Sequence, residues 1–216
     1  MIVRTKNGQQ SMSDTSSLLE YLSVKKDTAG VQKITQDVEL IASVPFHLTA
    51  SAESKGFAWT LSTFDLDRFD ERIDPQGWDF SQFEKNPVVE WAHRYDIPAI
   101  GKIEGLTITD EGLLGFVFFN DKEYDPFGWS IGERVKAGVI RAGSVGFRVI
   151  EIEIPDKENA KDGTFLIFRK QELLEFSICN VPANPFALAK CNEQRAENNE
   201  QRNIAASFWG GFINNF

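Results

Sequence analysis

The sequence predicts a mostly β or α+β barrel with helices at its periphery. Three observations carry this reading. Short apolar segments with two-residue alternation recur along the chain, parted by turn residues. Few segments show helical spacing, which places the helices at the periphery and the strands in the body of the fold. Eighteen Phe and five Trp in 216 residues supply a large aromatic load that must be buried.

Taken in order, residues 1–40 are polar and read as a mobile N-terminal arm, with "SSLLEYLSV" able to form one short helix. Folding into a core is expected from Ile41. "VPFHLTAS" and "FAWTLSTFD" are apolar and Thr-rich in alternation and read as two strands. "FDLDRFDERIDPQGWDF" reads as a charged loop ending in Pro and Gly. "NPVVEWAHRYDIPAIGKI" gives a strand, a break at Pro98 and a second strand, and "GLLGFVFFN" is a strongly apolar strand. "DPFGWSIGERVKAG" has helical spacing at Phe127, Ile131 and Val135, with Asp125 as N-cap and Gly138 as stop. "VIRAGSVGFRVIE" is a strand. "IPDKENAKDGT" is a loop, "FLIF" a short strand and "ELLEFSICNVPANP" a final strand. A barrel domain over 41–188 follows, and the charged, then aromatic, residues 189–216 read as a separate C-terminal tail.

The net charge is −9. A nucleic-acid binder needs a basic footprint, and an electrostatic binder of membrane surfaces needs the same. Neither is expected, and no apolar run approaches the length of a membrane span. The N-terminus lacks the apolar stretch of a signal peptide. Cys179 and Cys191 match neither a zinc spacing nor a disulfide framework, so a reducing cytoplasm is the default. No cofactor and no metal is expected. Asp65, Asp67, Asp70, Glu71 and Asp74 form an acidic loop. A calcium loop counted from Asp65 would need Gly at the sixth position and Glu at the twelfth, where Asp70 and Gln76 stand.

The strand 139–151 loses its bulk around one serine. By alternation, Gly143, Val145, Phe147 and Val149 share one face, and Ala142, Ser144, Gly146 and Arg148 the other. Ser144 thus stands between two small residues, which predicts open space around its hydroxyl. A serine needs a base within hydrogen-bond reach to act as a nucleophile. The chain has two histidines, His47 and His93. His93 shares a strand face with Val89 and Trp91. Glu175 lies among apolar neighbours on one face with Ser177 and Cys179, where a carboxylate requires a partner. An imidazole N–H would serve and would fix the tautomer. Glu172, the competing carboxylate, falls on the opposite face by alternation. The chain order His, Ser, acid matches neither the chymotrypsin nor the subtilisin order. Each of these residues also has a plain structural reading: a packing serine, a strand-end histidine, a salt-bridged glutamate.

Residues 60–188 resemble the prohead proteases of tailed bacteriophages, capsid-maturation serine peptidases related in fold to herpesvirus assemblin. Four segments carry the resemblance in the family's order: "STFDLDRFDERIDPQGWDF", "KNPVVEWAHRYDIPAIGKI", "VKAGVIRAGSVGF" and "ELLEFSICNVPANPFAL". The histidine of the Trp-x-His motif is His93, the serine of "SVGF" is Ser144, and the acid of "LLE" is Glu175. In assemblin relatives the third member is a second histidine. Here the other histidine, His47, lies upstream of the matched segments. Phe69 stands where many relatives have a glycine in an Asp-x-x-Gly-Asp loop.

The resemblance implies a closed β-barrel with surrounding helices, and Ser and His on neighbouring strands. Small residues beside Ser144 would admit a substrate backbone, and backbone N–H groups, Arg141 or Arg148 would serve the oxyanion. It further implies a serine endopeptidase acting on major capsid protein, scaffold segments and itself, inside the assembling prohead in the bacterial cytoplasm. Self-association is compatible with that role. The tail would be removed by autolysis or dock on scaffold. Two rivals stand beside it. One is a non-enzymatic scaffold or capsid-assembly protein with the same barrel. The other is a cysteine hydrolase using Cys179 with His93.

Overall fold

The computed structural model describes residues 56–180 apart from 68, 111, 157–159 and 161, and before them 2–5, 8–11, 15–22, 24, 30–34, 39–44 and 49–50. His47 and the tail 189–216 lie outside the described residues. In chain order the elements are β1 (Ile2–Thr5), β2 (Gly8–Ser11), α1 (Thr15–Tyr21), β3 (Gly30–Lys33), β4 (Glu39–Val44), β5 (Thr49–Ala50), β6 (Phe57–Ser62), β7 (Glu71–Ile73), β8 (Trp78–Asp79), β9 (Val88–Trp91), β10 (Gly101–Thr109), β11 (Gly112–Phe119), α2 (Pro126–Lys136), β12 (Ala142–Ile154) and β13 (Leu166–Cys179). The mostly β class is as predicted. No helix among the described residues is long and apolar enough to cross a membrane.

The strands form one sheet in the order β2-β1-β4-β12-β13-β9-β10-β11-β6-β5, with β3 also on β12, and β7 and β8 also on β13. This corrects the closed barrel: among the described residues the path is open, with no ladder joining its two ends. The sheet nevertheless curls on itself. β6 and β13 are four places apart, which in a flat sheet is about 19 Å at ~4.8 Å per strand. Yet the rings of Trp59 on β6 and Phe176 on β13 meet edge to face with centroids 5.6 Å apart. Gly143 on β12 makes room for both, since a Cβ there would lie 2.5 Å from the Phe176 ring and 3.0 Å from Trp59 Nε1. The curled sides are thus joined by large side chains where a closed barrel would have hydrogen bonds. Trp78, Phe147 and Phe168 continue the same core.

α2 follows the sequence closely. Asp125 accepts from the Gly128 amide at 2.9 Å as N-cap, Pro126 opens the helix, and Gly138 takes φ 71° just past its end. Ile131 and Val135 are buried, whereas Phe127 is half exposed and meets Trp91 edge to face at 5.9 Å. Among the described residues before 41, β3 and β4 pair with β12, and Leu18, Leu19 and Leu22 of α1 and the turn after it are buried in the core.

Two strand expectations change. All but the first residue of "FLIF" joins "ELLEFSIC" in one 14-residue strand, β13. The charged residues between them stay in the ladder because each has a partner: Arg169 bridges Asp74 and Glu153, and Lys170 pairs with Glu151. The charged loop after β6 contains β7 and β8, which run parallel to β13. Three of its carboxylates accept local hydrogen bonds. Asp67 accepts from the Phe69 and Glu71 amides, Asp65 from the Thr63 hydroxyl, and Asp74 caps the turn at Gln76.

Candidate active site

β13 is the axis of the site. It pairs antiparallel with β12 and parallel with β9, so one strand reaches both candidate partners. Ser144 on β12 lies opposite Ser177 on β13, and Gly146 lies opposite Glu175. Cross-strand partners have Cβ atoms about 5 Å apart on the same face. On the other side Ser177 registers with Glu90 and Ile178 with Trp91 of β9. The chain leaves β9 through Ala92 and His93, both in the left-handed region at φ 52° and 60°. Each costs about 1–2 kcal/mol for a residue with a Cβ. Hydrogen bonds offset this strain: the Ala92 amide donates to the Ile178 carbonyl at 2.8 Å, and the His93 amide to Ser177 Oγ at 3.1 Å. The reversal carries the imidazole back over β13.

There His93 Nδ1 lies 2.8 Å from Glu175 Oε1. An ionised carboxylate only accepts, so Nδ1 carries the proton and a neutral ring keeps Nε2 bare. The other oxygen, Oε2, accepts from the Ser177 hydroxyl at 3.2 Å. Glu175 is 4% exposed and Ser144 fully buried. Glu90 stands beside the group with Oε2 buried and, among the described residues, without a hydrogen-bond partner. Burial, and then the negative charge of Glu175, raise its carboxyl above the usual range. Nearby Cys179 is a buried thiol whose pKa burial pushes up to about 11, so it is protonated at neutral pH.

The structure therefore brings His93 and Glu175 into contact and places Ser144 across the ladder from Ser177, two residues along β13 from Glu175. It corrects two readings of their surroundings. The space beside Ser144 is not open. A Cβ on Gly146 would lie 2.7 Å from Glu175 Oε1, so the missing side chain houses the carboxylate. Gly143 is filled by Phe176 and Trp59 in the same way. Second, Glu172 is not on the opposite face. The register shifts between Gly146 and Phe147, where Leu174 is the extra residue of a bulge, and the shift resets the alternation. Glu172 then faces Arg148, two residues beyond Gly146 on the Ser144 face, and pairs with it. Arg148 is thus held by a carboxylate, and Arg141 lies just ahead of β12.

Gly146→Ala is expected to lower the unfolding free energy by about 1–3 kcal/mol through overpacking. Adding Glu175→Ala should recover part of that loss, because it removes the atoms the new methyl strikes. Denaturant unfolding of the single and double variants checks this; equal stability of Gly146→Ala and the parent would contradict it.

A family profile described as caudovirus prohead serine protease matches residues 48–202. The chain belongs to this family. The match contains all three candidate residues and spans more than half of the chain. Among solved structures, the bacteriophage T4 capsid assembly protease, gp21, is similar at 13% identity with a TM-score of 0.43, over 67% of this chain and 98% of that one. No curated protein compared with the chain matches it.

The residue that sequence reading passed over is Ser177. Its place two residues after Glu175 put it on the same face, but its bond to the His93 amide depends on the chain reversal after β9. Two successive left-handed residues without glycine leave no signal of that reversal in the sequence.

Proposed function

We propose that the chain is an active serine endopeptidase that cuts capsid and scaffold proteins, and itself, while the prohead matures in the host cytoplasm. Ser144 is the nucleophile, His93 the general base and Glu175 the partner of the imidazole. The observation that carries this reading is the 2.8 Å contact of the buried Glu175 with His93 Nδ1, on a strand that also registers with Ser144. Membership of a serine protease family supports it.

In the reaction, Ser144 Oγ forms a bond to the scissile carbonyl carbon, and its proton passes to His93 Nε2. The carbon–nitrogen bond then breaks, the amine leaves with that proton, and an acyl ester remains on Ser144. Water, losing a proton to the same Nε2, attacks the ester and releases the acid, and the proton returns to Ser144. Glu175 stays ionised and stabilises the imidazolium. The thiol of Cys179 is a poor alternative nucleophile, since thiolate is the reactive form and burial disfavours it.

Co-expression of the full chain with the capsid and scaffold proteins of the same virus should yield shortened head proteins on a gel. Shells that assemble from uncut subunits in the presence of the wild-type chain would overturn the peptidase reading in favour of an assembly role.

A further inference from the structure

Ser177 is fully buried and has no assigned task in the cleavage cycle. Its hydroxyl bonds in two directions. It accepts from the His93 amide at 3.1 Å and donates to Glu175 Oε2 at 3.2 Å. Glu175 Oε1 in turn meets His93 Nδ1 at 2.8 Å. The contacts close a ring through three side chains and one backbone amide: His93 N–H to Ser177, Ser177 to Glu175, Glu175 back to the His93 imidazole. We propose that Ser177 is a positioning residue, which fixes both the main chain of His93 and the carboxylate that orients its ring. The inference rests on the catalytic reading of Ser144, His93 and Glu175.

A hydroxyl has one proton and two lone pairs. Here the proton is committed to Glu175 and one lone pair to the His93 amide. Ser177 Oγ is therefore occupied as a connector and does not compete with Ser144 for the base. It also replaces a ladder carbonyl. The Ala92 amide takes the Ile178 carbonyl, and the next amide turns to the side chain of the preceding β13 residue. Ala92 and His93 both lie in the left-handed region, so the His93 main chain relaxes once its amide loses that acceptor. On the carboxylate side, Gly146 leaves the space in which Glu175 sits, and with Oε2 held by Ser177 the carboxylate cannot rotate away from Nδ1. A serine that only filled a buried position would leave ring tautomer and base strength untouched. A connector changes both.

The test uses the purified full chain and an alkyl fluorophosphonate as probe. Labelling forms a bond from Ser144 Oγ to phosphorus, expels fluoride and passes the hydroxyl proton to His93. Ser177→Ala is expected to slow labelling about 10²-fold, the size of effect that misplacing a catalytic group by about 1 Å produces. Imidazole nitrogen NMR should show His93 as one Nδ1–H tautomer in the wild type and as a tautomer mixture in the variant. In a Glu175→Gln background the same substitution should slow labelling further by no more than about 2-fold, because residues acting as a unit are not additive. Wild-type labelling with unchanged imidazole signals, or full additivity with Glu175→Gln, would overturn the proposal. Should Ser177→Ala not fold, Ser177→Cys decides. Its weak donor and acceptor should leave an intermediate rate, and a wild-type rate would count against a connector. Failure of the underlying reading looks different: wild-type label would then appear in Ser144→Ala.

Discussion

Ser144→Ala is expected to give a folded chain that does not cut. The substitution removes one oxygen from a fully buried position on β12, between Ala142 and Gly146 and opposite Ser177. A hydrogen bond contributes about 1 kcal/mol, small against the roughly 5–15 kcal/mol of a typical domain. The catalytic loss is of another order. With no oxygen to attack the carbonyl, the rate should fall on the order of 10⁴- to 10⁶-fold, as when a triad nucleophile is removed. Cleavage of co-expressed head proteins, together with an unfolding curve, measures both effects in one preparation. Cleavage within tenfold of the wild-type rate would place the nucleophile elsewhere.

His93→Ala is expected to lose as much activity, and combining it with Ser144→Ala should cost nothing more. Nucleophile and base form one proton-transfer unit, and once either is gone the other has no step to assist. The stability of the two variants should differ. Glu175 is buried and loses its imidazole partner in this variant, and breaking a buried ion pair by removing one member is costly. Thus His93→Ala should unfold at lower denaturant than Ser144→Ala. A double variant that is slower than either single one by a further factor of 10² would show that the two residues act independently.

Local chemistry was legible where it depends on near neighbours. α2 runs between the predicted Asp125 cap and Gly138 stop, and the mostly β class followed from alternation. The face of Glu175 was also readable, since Glu175 and Ser177 are two residues apart on one strand. What depends on long-range pairing was not. The alternation that put Glu172 on the wrong face holds only while every residue is in register, and the bulge at Leu174 breaks it. The continuity of β13 through Arg169 and Lys170 needs Asp74, Glu151 and Glu153 from distant segments. The glycines at 143 and 146 read as access for a ligand because the sequence does not say which ring or carboxylate crosses from the next strand. The closed barrel, implied by family resemblance, gave way to an open sheet whose curled sides meet through Trp59 and Phe176.

The central place of β13 has a consequence for timing. β12 and β9, which carry Ser144 and lead into His93, are not hydrogen-bonded to each other; β13 lies between them. β13 is also the last strand made among the described residues, and it pairs with segments as far back as Glu71. Pairings of such long sequence separation form late and slowly. A nascent chain that has reached β12 holds the serine and the histidine but neither the glutamate nor the strand that brings them together. Synthesis of residues 166–179 is thus the step that completes the candidate site, and the order of translation keeps its parts separate until then.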